Sequence, residues 1–474
     1  MSTVLKFITL GSSFILFLSL VINTTITVAI IGIAYLLFVN IILFEIIKIS
    51  KQSIVGVLFV IFFSIGHILK TGVVLANHET YKVIGWNTIG SFEFDTFNMT
   101  ELFAVQLAGI LGAYFSFKWL INGNHRAENY YKSIDTIKCR VNRITLALVW
   151  SVTAICLIAY MMIIGIGMHG LEPQQNSLPA GVAGLLLYLR NIFIISVGLM
   201  LLDRIYQQGK RPDYIVFIFL YLVVILFLSV ASLSRGIILV SFLPVVYAWF
   251  LYNKPKIRFK LLIKLLILMI PIYYIFNLVN LYRLEFYNDS VLNVIEGLRR
   301  ALKGESKFTF DNILLFFDFL VMRVEGSREL MAVISAELNG SWIFIKSFLY
   351  GDSTTMESVM GFLPTAEGKA FGMTYGLIGF LYLSKNIFLV FFGVSFYMAY
   401  LIYIERLFVK KRYYATSLYI TFTLFLNVWG NMDWFFMFRF TFVVLLTYFF
   451  SIYVIERVVP RYPAVRYASK PTHA

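Results

Sequence analysis

The segment "FLSVASLSRGIILVSF" (227–242) places one arginine between two apolar runs, beside serines and a glycine. Ser232 and Ser234 can cap a helix start, where free N–H groups and the positive end of the helix dipole are found. Gly236 would let a ligand approach the backbone, and the guanidinium of Arg235 suits bidentate binding of phosphate. This pattern predicts an anion site for a phosphate or pyrophosphate. The simpler interpretation is an interfacial arginine that extends its charge to water.

Three further arginines lie in or beside apolar segments. Arg190, in "LLYLRNIFIIS", lies well inside one, where an arginine costs at least ~2.5–3.5 kcal/mol and is therefore a candidate for function. The alternative for Arg190 is a structural pair with an acid on a neighbouring helix. For Arg439 the alternative is a pair with the nearby Asp433. For Arg283 the alternative is a place at the end of a helix, from which its side chain extends to water. We predict substrate-binding roles for these three arginines and for Gly236.

The segment "MRVEGSRELMAVISAELNG" (322–340) concentrates charges of both signs. One interpretation is a solvated amphipathic helix with pairs such as Glu325 with Arg328. The functional interpretation is a cationic cluster that binds an anion, with a carboxylate that takes a proton from a hydroxyl group. On that interpretation the catalytic candidates are Arg235, Arg323, Arg328 and Glu325.

The elements that must position these residues are membrane-spanning helices. The chain has 474 residues, of which 60% are hydrophobic and 14% charged, and its mean hydropathy is +0.82. Apolar runs long enough to cross the ~30 Å hydrocarbon core recur from end to end, so we predict an all-α polytopic membrane protein. The two cysteines offer no disulfide framework.

About twelve transmembrane helices are predicted. Their candidate spans are 5–22, 26–47, 53–70, 101–121, 144–168, 183–202, 214–232, 236–253, 261–281, 385–404, 414–431 and 436–455. Residues 1–281 then hold nine helices and the hairpin around Arg235, residues 282–384 form a long external loop with amphipathic helices, and residues 385–474 hold three helices and a basic tail. Loops of this length with structure of their own are usually functional.

The net charge of +15 follows the predicted loops. Lysine and arginine gather in alternate loops, for example Lys48 and Lys51, Arg204, Lys210 and Arg211, and Lys410, Lys411 and Arg412. Basic loops are typical of the cytoplasmic side, so both termini are predicted to be cytoplasmic and the long loop external. We therefore exclude nucleic acid as a partner. The chain has no P-loop, dinucleotide fingerprint or metal-spaced cluster, and we predict no metal and no cofactor.

In architecture the whole chain resembles the O-antigen polymerases, also called Wzy-type oligosaccharide repeat-unit polymerases, and more distantly the O-antigen ligases. The resemblance includes "SLSRGIIL" (232–239) in a central hairpin and "FGMTYGLIGFLYLS" (371–384), with Gly376 and Gly379, at the end of the long loop. The ligase pattern has a histidine ahead of these glycines, which this loop lacks.

This resemblance implies a membrane glycosyltransferase of the bacterial cytoplasmic (inner) membrane. It would polymerise oligosaccharide repeat units at the outer face, with an undecaprenyl-pyrophosphate-linked oligosaccharide as donor and with arginines that stabilise the pyrophosphate leaving group. Membrane lipid and a chain-length regulator protein are candidate partners.

Two other classes remain open. Intramembrane arginines also fit a lipid-linked oligosaccharide flippase or another secondary transporter, although transporters usually have two halves related as repeats. A polyprenyl-phosphate-sugar glycosyltransferase would need an acidic pair in an early external loop, for which Glu93 and Asp95 are the candidates.

The predicted topology can be tested with reporter fusions. Fusions at about residues 130, 208, 257 and 409 are expected to report the cytoplasm, and fusions near 175 and 310 the external side, because basic loops stay on the cytoplasmic side. Phosphatase and fluorescent-protein activities provide the measurement. A cytoplasmic signal from position 310 would contradict the orientation.

Overall fold

The computed structural model describes residues 2–50, 53–76, 92–122, 143–163, 186–187, 189–207, 211–232, 235–253, 326–335, 376–430 and 434–456. Within these residues every regular element is a helix. The first eight are α1 (Ser2–Asn23), α2 (Ile26–Ile49), α3 (Ile54–Ala76), α4 (Thr96–Asn122), α5 (Arg143–Ile163), α6 (Ile194–Gln207), α7 (Arg211–Ala231) and α8 (Arg235–Asn253). They are followed by α9 (Ser327–Ser335), α10 (Gly376–Tyr382), α11 (Ile387–Lys410), α12 (Tyr414–Gly430) and α13 (Trp434–Phe450).

Three π-helical segments interrupt or extend these helices. Residues Ser64–Leu69 form the middle of α3, Leu189–Phe193 lead into α6, and Ser451–Ile455 continue α13. π-Helical turns often mark functional sites, because they disturb the regular backbone ladder.

Six described helices are long and apolar enough to cross a membrane: α1, α2, α3, α4, α5 and α11. The chain is therefore a multi-pass helical membrane protein by length and composition, as predicted. Eleven of the twelve predicted spans overlap described helices, and the span 261–281 lies outside the described residues. On either side of the predicted hairpin, α7 ends at Ala231 and α8 begins at Arg235.

One charged residue predicted at the end of a span, and one predicted in a loop, lie inside helices. Lys70 was the predicted last residue of its span, but α3 continues to Ala76. Arg204, which the sequence places in a basic loop, belongs to α6 and is 1% exposed. The Arg204 guanidinium lies 4.6 Å from the ring centre of Tyr413 and 3.3 Å from a carboxylate oxygen of Glu456. Charges that are paired can be buried in this way.

The described residues divide into two units. Unit 1 comprises residues 1–130, 308–406 and 421–438, and unit 2 comprises residues 131–307, 407–420 and 439–474.

In unit 1, helix α4 packs tightly on α11 through small residues. A side chain on Gly112 would collide with the backbone of Phe391, and the hydroxyl oxygens of Ser116 and Ser395 lie 2.9 Å apart. Small residues permit this close approach between membrane helices. Helix α11 also supplies Glu405, whose carboxylate accepts a 2.6 Å hydrogen bond from the N–H of Ile54 and so caps the start of α3.

In unit 2, a buried carboxylate caps a helix from outside. Asp203 of α6 accepts hydrogen bonds from the N–H groups of Ala415 and Thr416, at 3.0 and 3.3 Å. These groups belong to the first turn of α12, where backbone donors have no intrahelical acceptor. The same helix α6 approaches α5 at Gly198, where an added side chain would collide with the ring of Trp150.

Candidate functional site

The candidate site is built on α9, a nine-residue helix inside unit 1. Gly326 precedes the helix, and its carbonyl accepts the first helical hydrogen bond, from the N–H of Leu330 at 3.1 Å. The side chain of Glu329 turns back and accepts a 2.9 Å hydrogen bond from the N–H of Gly326. This is one half of a capping box, which explains why the chain becomes helical here.

Residues 327–334 of α9 are buried. The solvated amphipathic helix considered as one interpretation of this segment is therefore wrong for its described part. Arg328 is paired, but with its neighbour Glu329; the predicted partner Glu325 lies outside the described residues.

Two cations converge on the Glu329 carboxylate. The ammonium group of Lys70, on α3, donates to both carboxylate oxygens at 2.9 Å. The guanidinium of Arg328 donates to Oε1 through Nη2 at 2.9 Å and through Nε at 3.1 Å. Lys70 and Glu329 are fully buried and Arg328 is 5% exposed. Such charge-assisted bonds are roughly twice as strong as those between neutral groups.

The electrostatics of the cluster keep Glu329 ionised. Burial by itself would raise the pKa of this carboxyl group, but the positive charges of Lys70 and Arg328, together with the hydrogen bonds, hold its pKa below its ordinary value. The two cations thus favour the ionised form of Glu329.

The start of α9 docks on the π-helical segment of α3. A side chain on Gly326 would collide with the backbone of Gly66, so glycine permits the close contact. Next to it, the Ser327 hydroxyl donates to the carbonyl of His67 at 2.7 Å and lies 2.6 Å from the hydroxyl of Thr71. Hydrogen bonds and close backbone contact thus hold the start of α9 against the π-helical turn of α3.

A second lysine holds the other end of α9. Lys385, between α10 and α11, donates to the carbonyls of Val333 and Ile334 at 3.0 and 2.9 Å. These carbonyls lie in the last turn, where cations are favoured by the helix dipole. Burial lowers the pKa of Lys385, while Glu101 nearby opposes that shift. Both ends of α9 are therefore fixed by lysines from other elements.

Polar side chains continue from Ser327 into the interior of unit 1. Gln106 of α4 donates from its amide nitrogen to the Ser327 hydroxyl at 3.3 Å, and Tyr35 of α2 donates to the Gln106 amide oxygen at 2.5 Å. All three side chains are buried. Helices α2, α3 and α4 therefore all contribute, directly or through this chain, to the position of α9.

Arg190 lies in unit 2, in the π-helical turn before α6. It is fully buried, and its guanidinium donates to the Ser232 hydroxyl at 2.9 Å and to the Asn191 side-chain oxygen at 3.0 Å. Ser232 belongs to the hairpin that carries Arg235, so the structure brings Arg190 to the turn that the sequence singled out. Tyr419 donates to the Asn191 carbonyl at 2.5 Å and joins α12 to this turn.

The other predicted site residues are described in backbone only or lie outside the described residues. Arg235 and Gly236 begin α8, and Arg439 lies within α13. The residues outside are Arg283, Arg323 and Glu325. Their predicted roles stay predictions.

Sequence reasoning missed Lys70 and gave Glu329 no role. A signal for Lys70 was present, since "HILKTGVVLA" (67–76) places it with apolar residues on both sides. An ionisable residue in such a position is a candidate for function by default. No pattern joins it to Glu329, which is 259 residues away in the chain.

Comparison with protein-family models, with curated protein sequences and with solved structures finds no match to this chain. The resemblance to polysaccharide polymerases therefore rests on its motifs and architecture. In the second motif, Gly376 begins α10 with a φ of 64°, a left-handed conformation that favours glycine, and Gly379 is buried within that helix.

The docking of α9 can be tested at Gly326. The change Gly326→Ala places a methyl group against the Gly66 backbone, and we expect it to cost about 1–3 kcal/mol of stability by overpacking. Thermal unfolding of the purified protein in detergent provides the measurement.

Gly11→Ala is the matched control, because an added side chain there has nothing within 4 Å and alanine is the better helix former. Equal unfolding midpoints for Gly326→Ala and the wild type would contradict the docking.

Proposed function

We propose that this chain polymerises lipid-linked oligosaccharide repeat units into O-antigen or a related surface polysaccharide. The donor is a glycan on undecaprenyl pyrophosphate, and the reaction takes place at the outer face of the bacterial cytoplasmic membrane, with both termini of the chain in the cytoplasm. The observation that carries the proposal is the convergence of Lys70 and Arg328 on one oxyanion inside a helical membrane protein. Buried cations with apolar surroundings can bind the phosphate group of a lipid through charge-assisted hydrogen bonds.

The chemistry requires that positive charge. The hydroxyl oxygen of the acceptor attacks the anomeric carbon of the donor, and the bond from that carbon to the pyrophosphate oxygen breaks. The hydroxyl proton passes to a base, and the lipid pyrophosphate leaves with the bonding electrons. Negative charge develops on the leaving oxygen, and fixed cations in a low dielectric are the most effective means of stabilising it. Lys70 and Arg328 are our candidates for that role.

Glu329 is unsuited to be the base. Its carboxylate is already held by Lys70, Arg328 and the Gly326 N–H, and its lowered pKa makes it a weak proton acceptor. Glu325 therefore remains the proposed base, as the sequence suggested.

The hairpin in unit 2 supports the same type of ligand. Arg190 is buried beside Ser232, at the turn that precedes Arg235 and Gly236 at the start of α8. A helix start with two arginines near it fits an anion. We propose that this turn also binds phosphate groups of the lipid-linked substrates.

The competing function is a lipid-linked oligosaccharide flippase or another secondary transporter. A buried cluster of ionisable residues on a candidate span is found in transporters as well as in enzymes. The two functions differ in where the repeat units accumulate. Loss of a polymerase leaves single repeat units capped on lipid, whereas loss of a flippase removes repeat units from the outer leaflet.

The proposal predicts the polysaccharide ladder of a strain that carries variants in place of the wild-type gene. With Lys70→Met or Arg328→Ala, we expect single repeat units capped on lipid and little polymer, because loss of one charge donor slows such reactions on the order of 10²–10³-fold. Immunoblots of membranes establish that each variant is inserted.

Lys48→Met is the matched control, since the Lys48 side chain is 71% exposed and pairs with Glu45 at the surface of α2. A normal ladder with both site variants would contradict the proposed function. Loss of all repeat units from the outer leaflet would support the flippase instead.

A further inference from the structure

One oxygen of Glu329 has the surroundings of a bound phosphate oxygen. Oε1 accepts from Lys70 at 2.9 Å and from two nitrogens of Arg328 at 2.9 and 3.1 Å. Ammonium and forked guanidinium groups on one anionic oxygen are the usual elements of phosphate recognition in proteins. The cluster therefore has the form of an occupied anion site, in which the anion belongs to the protein.

We propose that Glu329 is an internal competitor for this anion site: its Oε1 takes the place of a phosphate oxygen in the free protein, and the ligand displaces it from Arg328 and Lys70. This inference rests on the proposed function for the identity of the ligand, the pyrophosphate of a lipid carrier. It adds a regulation of the same site that the proposed function does not require.

The two oxygens of Glu329 are held differently, which makes the exchange feasible. Oε2 accepts from the N–H of Gly326 and from Lys70, both at 2.9 Å, so it stays fixed to the start of α9 when Oε1 is displaced. Arg328 contacts only Oε1 of this carboxylate. The exchange therefore frees the guanidinium from Glu329 without removing the helix cap.

All three charged side chains of the cluster are buried. Lys70 and Glu329 are fully buried, whereas Arg328 retains 5% exposure. Like charges brought together in a desolvated site repel by several kcal/mol, so Glu329 weakens the binding that the two cations alone would give.

This competition has a use in a polymerisation cycle. The lipid pyrophosphate that leaves must be released before the next donor binds, and a site that held it without opposition would retain the product. A carboxylate that returns to Arg328 and Lys70 lowers the affinity for the product and restores the buried Lys70–Glu329 ion pair, whose two charges balance.

A competing Glu329 and a purely structural Glu329 predict opposite effects of the change Glu329→Gln on the affinity for anions. If Glu329 only positions Arg328, the change Glu329→Gln misplaces the guanidinium and weakens anion binding. If Glu329 competes, the same change removes the opposing charge and strengthens binding, while the amide keeps an oxygen that can accept from Gly326.

The test is the dissociation constant of inorganic pyrophosphate for the purified full-length protein in nanodiscs, measured by calorimetry. For Glu329→Gln we expect binding at least about tenfold tighter than for the wild type, since like-charge contacts cost several kcal/mol. Lys70→Met and Arg328→Ala are expected to weaken binding at least about tenfold through loss of a charged hydrogen-bond donor. Glu45→Gln, which removes the same charge from an exposed position in unit 1, is the control and should leave binding unchanged.

Binding that is unchanged or weaker in folded Glu329→Gln, with Lys70→Met and Arg328→Ala still weak, would overturn the competitor and leave the anion site intact. Binding that no variant alters, or that neither the wild type nor Glu329→Gln shows, would overturn the anion site and with it the proposed function. If Glu329→Gln does not fold, Glu329→Asp carries the same test: its shorter carboxylate draws away from Arg328, and we expect tighter binding than in the wild type.

Discussion

The buried ion pair between Lys70 and Glu329 is the interaction on which the arrangement of unit 1 depends. Both side chains are fully removed from solvent, and their nitrogen and oxygen atoms are 2.9 Å apart. A charge in such a place is tolerated only with a partner, and removal of one partner from a buried pair costs about 3–5 kcal/mol. The pair therefore requires that α9 lie against α3, although the two are far apart in the chain.

Other features of unit 1 are consistent with that requirement. The π-helical turn of α3 contacts the start of α9, where Gly66 and Gly326 let the two backbones approach closely. Beside them, the Ser327 hydroxyl donates to the carbonyl of His67. Lys385 holds the far end of α9. Because α3 holds the start of α9 and Lys385 holds its end, the contacts fix the position of α9 at both ends, and Arg328 is carried to a defined place with it.

Much of the fold follows from hydropathy alone. Apolar runs of spanning length define most described helices, and α7 ends and α8 begins close to the predicted bounds of their spans. The errors concern charges. The sequence predicts a span that ends at Lys70 and a loop that contains Arg204. In the structure α3 continues past Lys70 and Arg204 is buried in α6, because each side chain pairs with a glutamate from a distant segment.

The candidate site shows the same limit. Residue types pointed to Arg328, and helical spacing pointed to Glu325 as its partner, since residues three apart face each other on a helix. The structure pairs Arg328 with Glu329 instead. Adjacent side chains do not normally meet on a helix, but Glu329 bends back to cap Gly326 and so comes within reach of its neighbour. Burial of α9 and the distant Lys70 decide this geometry, and neither has a local pattern in the sequence.

A double-mutant cycle between Lys70 and Glu329 tests the central ion pair most directly. The measurement is the thermal unfolding of the purified full-length protein carrying Lys70→Met, Glu329→Gln or both changes. We predict that Glu329→Gln alone is the least stable, since it removes the carboxylate from a buried ammonium, and that the added Lys70→Met change restores stability by about 1 kcal/mol or more. Strictly additive losses in the double variant would contradict the account, because they would mean that the two side chains do not interact.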